Sequence, residues 1–343
     1  MLRNYNATVA KIMAIYGKRI KPQDYTEMMN KQNVSEVAEY LKRNTHYNEL
    51  LSSIDTNTIH RGMLENLLRR SVFETYMRIT GFEHISKQEF YNYKILQTEI
   101  DEILRCIRFI NAKSQKLITD VPIYINHLTS FDLLELAKIT DFNELLTFLK
   151  KTPYYDVLKH IHLGKDGLVD VTKCETLLRS YYIERLKSSL HFKKSDVEQF
   201  VMFLDSDIDF INIINAYRLT AFFSASDEEI EKDMLPFYGK LSEAKQKEIY
   251  SAPNSEEFIK RFSKTYYGKQ MIENGYDINS LEQSAQRMRY KYAKLMLKRS
   301  ASAPLSVYSF IFLLEIEVQN LISIIEGIRY GIEVNKIASL IIM

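Results

Sequence analysis

Tyr40-Leu41-Lys42-Arg43, followed by Thr45-His46-Tyr47, has two echoes further along the chain. Phe148-Leu149-Lys150-Lys151 precedes Thr152-Pro153-Tyr154-Tyr155, 108 positions later, and Phe258-Ile259-Lys260-Arg261 precedes Thr265-Tyr266-Tyr267. Upstream of each block stands a short polar residue with an acid three positions on: Asn33 and Glu36, Asp141 and Glu144, Asn254 and Glu257. This is the spacing of a capping box, in which the polar side chain satisfies a free amide at a helix start. Each block is therefore predicted to be a newly started helix. In this alignment Phe262-Ser263-Lys264 is an insertion before Thr265.

A second element follows the same period. Asp101, Asp209 and Glu317 recur at spacings of 108, each within a run of Ile and Leu. Three residues after the acid come Leu104, Asn212 and Asn320, and further on come Arg108, Arg218 and Arg329. Self-similarity at a fixed period decides architecture before any local assignment, so the chain reads as three degenerate copies of about 110 residues, 1–115, 116–226 and 227–343. The boundaries fall in the polar stretches Lys113–Pro122 and Ser224–Asp233, neither of which is a Gly/Ser linker.

The copies are expected to be helical throughout. Only 10 Gly and 6 Pro punctuate 343 residues, too few for a turn-rich sandwich or a βαβ protein. Tyr5, Val9, Ile12, Met13 and Tyr16 fall on one helical face, and Leu314, Val318, Leu321, Ile325 and Ile328, with Phe310, Leu313, Ile316 and Ile324 on other sides, predict a helix buried all round. The apolar run Ser306–Val318 is broken by Glu315 and Glu317 and is not expected to span a membrane. Met1–Ala14 lacks the layout of a signal peptide. Hydrophobic residues at 46% can fill a core, and a net charge of +2 provides no field for a polyanion. Cys106 and Cys174, outside any CxxC, read as reduced core residues.

The sequence carries no recognisable catalytic signature. Gly17-Lys18, Gly164-Lys165, Gly239-Lys240 and Gly268-Lys269 lack the rest of a phosphate-cradling loop, and GxGxxG, HExxH and GxSxG do not occur. His160 and His162 at i, i+2 point to different sides of a helix. No catalytic group, metal or cofactor is implied. Two features carry more weight. Asp209 with Asn212, and Glu317 with Asn320, project an acid and an amide from one face of an oily helix. Together with Asp101 they read as polar helix pairs that set register, with Arg218 and Arg329 as candidate ion-pair partners, against the alternative of an ion or proton relay. Arg287, Arg289, Lys291, Lys294, Lys298 and Arg299, interleaved with Tyr290 and Tyr292, form a basic stripe. It reads either as a solvated face or as a docking patch for protein or lipid headgroups; binding of RNA through stacked rings is the remaining possibility.

Taken in order, the Thr-x-Tyr-like blocks and the later acid-x-x-Asn elements resemble the C subunit of the archaeal and bacterial V-type (A-type) ATPases, the family of the eukaryotic d subunit. The resemblance runs over essentially the whole chain, with Leu104 at the first amide position as a departure. It implies an all-α funnel of three similar lobes around a pseudo-threefold axis. It also implies a non-catalytic central-stalk subunit, peripheral on the cytoplasmic face of the membrane, without cofactor, nucleic acid or small-molecule substrate. Its partners would be the shaft subunits D and F and the membrane rotor ring built of c/K polypeptides, in a complex that couples ATP hydrolysis or synthesis to H+ or Na+ movement. The alternative is a helical-repeat scaffold that binds RNA or protein through Arg287–Arg299.

Overall fold

The computed structural model describes residues 6–82, 88–113, 121–223 and 225–343. Tyr5, most of the first polar boundary and Ser224 of the second lie outside the described residues. Helices, 3-10 turns and one π-helical turn are the regular elements, and no strand occurs among the described residues. The fold class is all-α.

The chain divides into two compact units, one formed by Met1–Ser86 with Ser280–Met343 and the other by Lys87–Asn279. In the first unit the helix Ala303–Arg329 is the spine. Helices Arg61–Thr80, Leu281–Arg299 and Asn6–Gly17 pack along it, and the shorter Pro22–Met29, Val34–Asn44 and Val334–Leu340 also lie against it. The spine is long and apolar enough to cross a membrane by length and composition, yet 72% of its apolar window is buried inside the protein. Nearly all of the residues predicted to cover its several faces are buried, with Ile316 and Ile328 partly so. On the opening helix the packing line is Thr8, Ile12 and Tyr16, whereas Met13 is exposed. One step of about 100° carries position 13 off the i, i+4 line and into solvent.

In the second unit helix Tyr93–Asn111 packs on Val171–Ser188, which also receives Tyr154–Leu158 and Asp227–Asp233. A core cluster joins Ile100, Ile103 and Ile107 to Leu145, Leu149 and Leu178. Fully burying side chains of this size contributes about 1.5–3 kcal/mol each. Cys106 and Cys174 belong to the same cluster as free thiols, each pushed up to about 12 by burial. Helix Lys194–Arg218 packs on Glu243–Tyr250 and runs on into the π-helical turn Leu219–Phe223.

The caps explain why the three blocks start where they do. Asn33, Asp141 and Asn254 each accept the backbone N–H of the acid three residues on, at 2.9, 3.2 and 2.9 Å. With the caps as register, Val37, Leu145 and Phe258 hold the same position, and so do Leu41, Leu149 and Phe262; all six are fully buried. Each block then ends on a threonine whose hydroxyl donates to the carbonyl of Leu41, Leu149 or Phe262. Phe262-Ser263-Lys264 is therefore no insertion. The third block keeps the second block's spacing from cap to threonine, and the first is one residue longer.

Candidate functional site

The tyrosine that closes each block ends at a buried carboxylate. Tyr47 donates to Glu317 Oε1 at 3.0 Å, Tyr267 donates to Asp209 Oδ2 at 2.9 Å, and Tyr154 donates to Glu99 Oε2. Three acids that share a place on long apolar helices are thus met by three tyrosines that share a place in the blocks. Glu99 and Asp209 each meet the block that follows them in sequence, and Glu317, on the last of these helices, closes on Tyr47 of the first block. This pairing accounts for the compact units. Residues 280–343 belong with 1–86, where helix Ala303–Arg329 packs on Arg61–Thr80 and Asn6–Gly17 and its Glu317 meets the first block.

The first acid is Glu99, not Asp101. Glu99 is 5% exposed, and beside the Tyr154 hydroxyl it accepts the Ser130 N–H; Asp101 is exposed. The spacings of 110 and 108 between Glu99, Asp209 and Glu317 were the available signal, and the regular 108-residue step to Asp101 obscured it. Two positions on a helix are about 200° apart, so the neighbour points away from the core. The amide position moves with the acid. In the first copy it is Glu102, which bonds Arg105 and whose carboxyl burial pushes up, while Leu104 is core.

Arg218 and Arg329 are exposed. Arg218 lies nine residues beyond Asp209, two and a half turns, which places it on the opposite side of the helix. The corresponding Arg108 pairs with Glu175 at 2.8 Å. Asp209 instead accepts the N–H groups of Gly239 and Leu241 at 3.0 and 3.1 Å and the Gln246 side-chain amide at 3.1 Å, in addition to Tyr267. Glycine at 239 is what lets the backbone come so near. A Cβ there would lie 2.5 Å from Asp209 Oδ2 and 2.6 Å from the Asp205 carbonyl oxygen.

Asn212 and Asn320 act as clamps. Asn212 donates to the Leu235 carbonyl at 3.0 Å and accepts the Leu235 N–H at 2.9 Å; Asn320 does the same with Ile342 at 2.8 and 2.9 Å. Each amide holds one residue of a later segment by both of its backbone groups, as an added strand would.

Electrostatics separate the nodes. Burial pushes the Asp209 carboxyl upward against the pull of its N–H and hydroxyl donors. Glu317, with the Ile20 N–H at 2.8 Å and Tyr47 as donors, is raised to about 7 by burial. His46 Nε2 lies 3.3 Å from Glu317 Oε1. Its Nδ1 faces the Lys18 carbonyl at 3.1 Å, so the proton sits on Nδ1 and Nε2 presents a lone pair. Burial also lowers the His46 pKa. Near neutral pH the pair is then one in which Glu317 can hold a proton and donate it to His46, with Oε1 still accepting from Tyr47.

Arg287, Lys291, Lys294 and Lys298 of the basic stripe fall on one side of helix Leu281–Arg299, and Arg289 and Arg299 lie off it. Arg287, Arg289, Lys291 and Lys294 are partly buried on helix Leu281–Arg299, and Lys298 and Arg299 are exposed. The Arg289 guanidinium lies over the Phe312 ring at 5.2 Å, and the Lys294 ammonium lies over the Tyr290 ring at 5.4 Å. Among the described residues no group of three or more His, Cys, Asp or Glu is placed to hold a metal ion.

Comparison with known proteins bears on what such a helical chain is. The profile of the ATP synthase (C/AC39) subunit family matches residues 8–340. The C subunit of the A-type ATP synthase of Archaeoglobus fulgidus is 24% identical over 334 residues, 96% of this chain and 93% of that protein. The protein of the same name from Methanosarcina acetivorans is 24% identical over 94% of this chain and 89% of its own, and that of Desulfurococcus is 23% identical over 68% and 61%. The chain belongs to the ATP synthase (C/AC39) subunit family. It is accordingly a subunit of a rotary ATPase of the A/V type.

Proposed function

We propose that this chain is the non-catalytic central-stalk subunit of its rotary complex, an adapter between the shaft subunits D and F and the membrane rotor ring of c/K polypeptides. It works at the cytoplasmic face as a peripheral component, passing torque during ATP-driven H+ or Na+ transport and turning over no substrate itself. In this reading the three copies form three lobes around a pseudo-threefold axis, and the polar pairs at Glu99, Asp209 and Glu317 keep each lobe stiff.

The observation that carries the reading is the family match over residues 8–340. The acid–tyrosine node supports it physically. An adapter that conveys torque must not shear between its parts, and a directional hydrogen bond at the centre of a close-packed helical core resists sliding in a way that apolar contacts do not. The direct test is binding of the folded chain to a purified D–F pair, followed by reconstitution with ring-containing membranes. Failure of a well-folded chain to bind D–F, with the membranes otherwise competent, removes the proposal.

A further inference from the structure

A cleft of about 240 Å³ opens in the first unit beside Glu317, between helices Asn6–Gly17, Leu281–Arg299 and Ala303–Arg329. Its lining includes the apolar Ile15, Phe310 and Leu314 together with Tyr16, Arg19, Lys294 and the Glu317 carboxyl. The exposed Arg19 guanidinium stacks on the Tyr16 ring, 4.4 Å from its centre, and gives one N–H to the Tyr16 carbonyl at 3.2 Å. Its other N–H groups remain available. Lys294 is held below the usual lysine range by burial and by the neighbouring charges of Lys298 and Arg19. Neither Arg19 nor Lys294 has an ion-pair partner among the described residues.

Tyr16 is the second, independent observation. It is 7% exposed, and its hydroxyl has no hydrogen-bond partner. A stranded buried hydroxyl costs about 1–3 kcal/mol, and Tyr16 lines the same cleft as Lys294 and as Arg19, whose charge also acts on Glu317. A ligand that accepts a hydrogen bond and bears negative charge would satisfy all three groups together.

The size and the apolar wall narrow the class. At roughly 30 Å³ per water the cleft has room for about eight, more than an inorganic anion fills, and such an anion would leave Ile15, Phe310 and Leu314 wet. We propose that the cleft binds a carboxylate carried on a small apolar body. The carboxylate bridges Arg19 and Lys294 and accepts the Tyr16 hydroxyl, while the body rests on the apolar wall. Two sources share this chemistry: a free acid, and an acidic side chain beside an apolar one in another polypeptide.

Titration of the full chain with 3-phenylpropionate, followed by calorimetry or by ligand-observed NMR, tests this. Saturable binding is expected, with acetate, phosphate and 3-phenylpropan-1-ol each weaker by about tenfold or more, because each lacks one of the two elements. Arg19→Gln and Lys294→Gln are each expected to weaken binding by about fivefold or more. Tyr16→Phe should weaken it by about threefold while the thermal midpoint holds or rises, since the stranded hydroxyl is gone. A capped Phe-Glu dipeptide that binds more tightly than the free acid assigns the ligand to a protein segment, and weaker binding assigns it to a free acid. The proposal is overturned by the absence of saturable binding, by phosphate binding as tightly as 3-phenylpropionate, or by undiminished affinity in the Arg19→Gln/Lys294→Gln double variant.

Discussion

Asp209 and Glu317 hold matching places on two long helices, and each meets the tyrosine of a Thr-x-Tyr block, yet they solve the problem of a buried carboxylate differently. Asp209 is ringed by donors: two backbone N–H groups, a side-chain amide and a hydroxyl, brought close by the glycine at 239. Glu317 has one backbone N–H and one hydroxyl, with a lone pair of His46 as its third neighbour and a cleft alongside. A carboxylate with many donors is pulled back toward its ionised form against the push of burial. One with few donors in an apolar surround keeps its proton into the neutral range, and so couples its unit's stability to pH.

This contrast can be broken by substitution. Removing the better satisfied acid has the largest effect: Asp209→Ala strands the Gly239, Leu241, Gln246 and Tyr267 donors together, and denaturant unfolding should show a loss of about 4 kcal/mol. The pH profile is the sharpest test of the other node. The folded-state value of Glu317, about 7, lies above its ordinary 4.5, so the folded protein holds this proton more tightly than the unfolded one. Its contribution to stability is complete below about pH 4.5 and is lost as pH rises through 7, a swing of roughly 3 kcal/mol. The groups that bond or act on it include Tyr47, His46, Tyr25, Arg19 and Asp24, and lowered protonation of His46 acts in the opposite sense at acid pH. Glu317→Gln, which cannot ionise, is therefore expected to gain on the wild type by about that amount between pH 4.5 and 8. Equal pH profiles for the two proteins would sink the distinction between the nodes.

Smaller effects sharpen it. Gly239→Ala forces a methyl group onto the Asp209 carboxylate and should cost about 2 kcal/mol in the second unit. Tyr47→Phe removes one of the donors from Glu317 and should cost about 1 kcal/mol near neutral pH, comparable to Tyr267→Phe, which leaves Asp209 three other donors.

The helices, their caps and the blocks were legible because they rest on local chemistry. Asn33, Asp141 and Asn254 each cap the helix they precede whatever else the chain does, and the buried faces of Ala303–Arg329 come from side-chain spacing alone. The nodes were only half legible. Both members of each pair recur in the sequence, but nothing in a linear repeat says that the tyrosine of one copy serves the acid of the copy before it. Arg218 and Arg329 looked like partners on charge, and helical rotation turns them outward. Asp101 looked in phase by counting, and Glu99 is in phase by burial. Reading Phe262 as part of an insertion came from matching letters, whereas the caps set the true register.

Residue order alone therefore determined an all-helical chain, its recurring capped blocks and its resemblance to a rotary ATPase subunit, since helix caps and apolar periodicity act over a few residues at a time. Tertiary structure decided which acid is buried, which donors reach it, and that the last copy's helix is completed by the first copy's block. Those outcomes depend on contacts between residues as far apart as Tyr47 and Glu317, where the cost of burying a charge is settled by whatever donors the fold brings within hydrogen-bond reach.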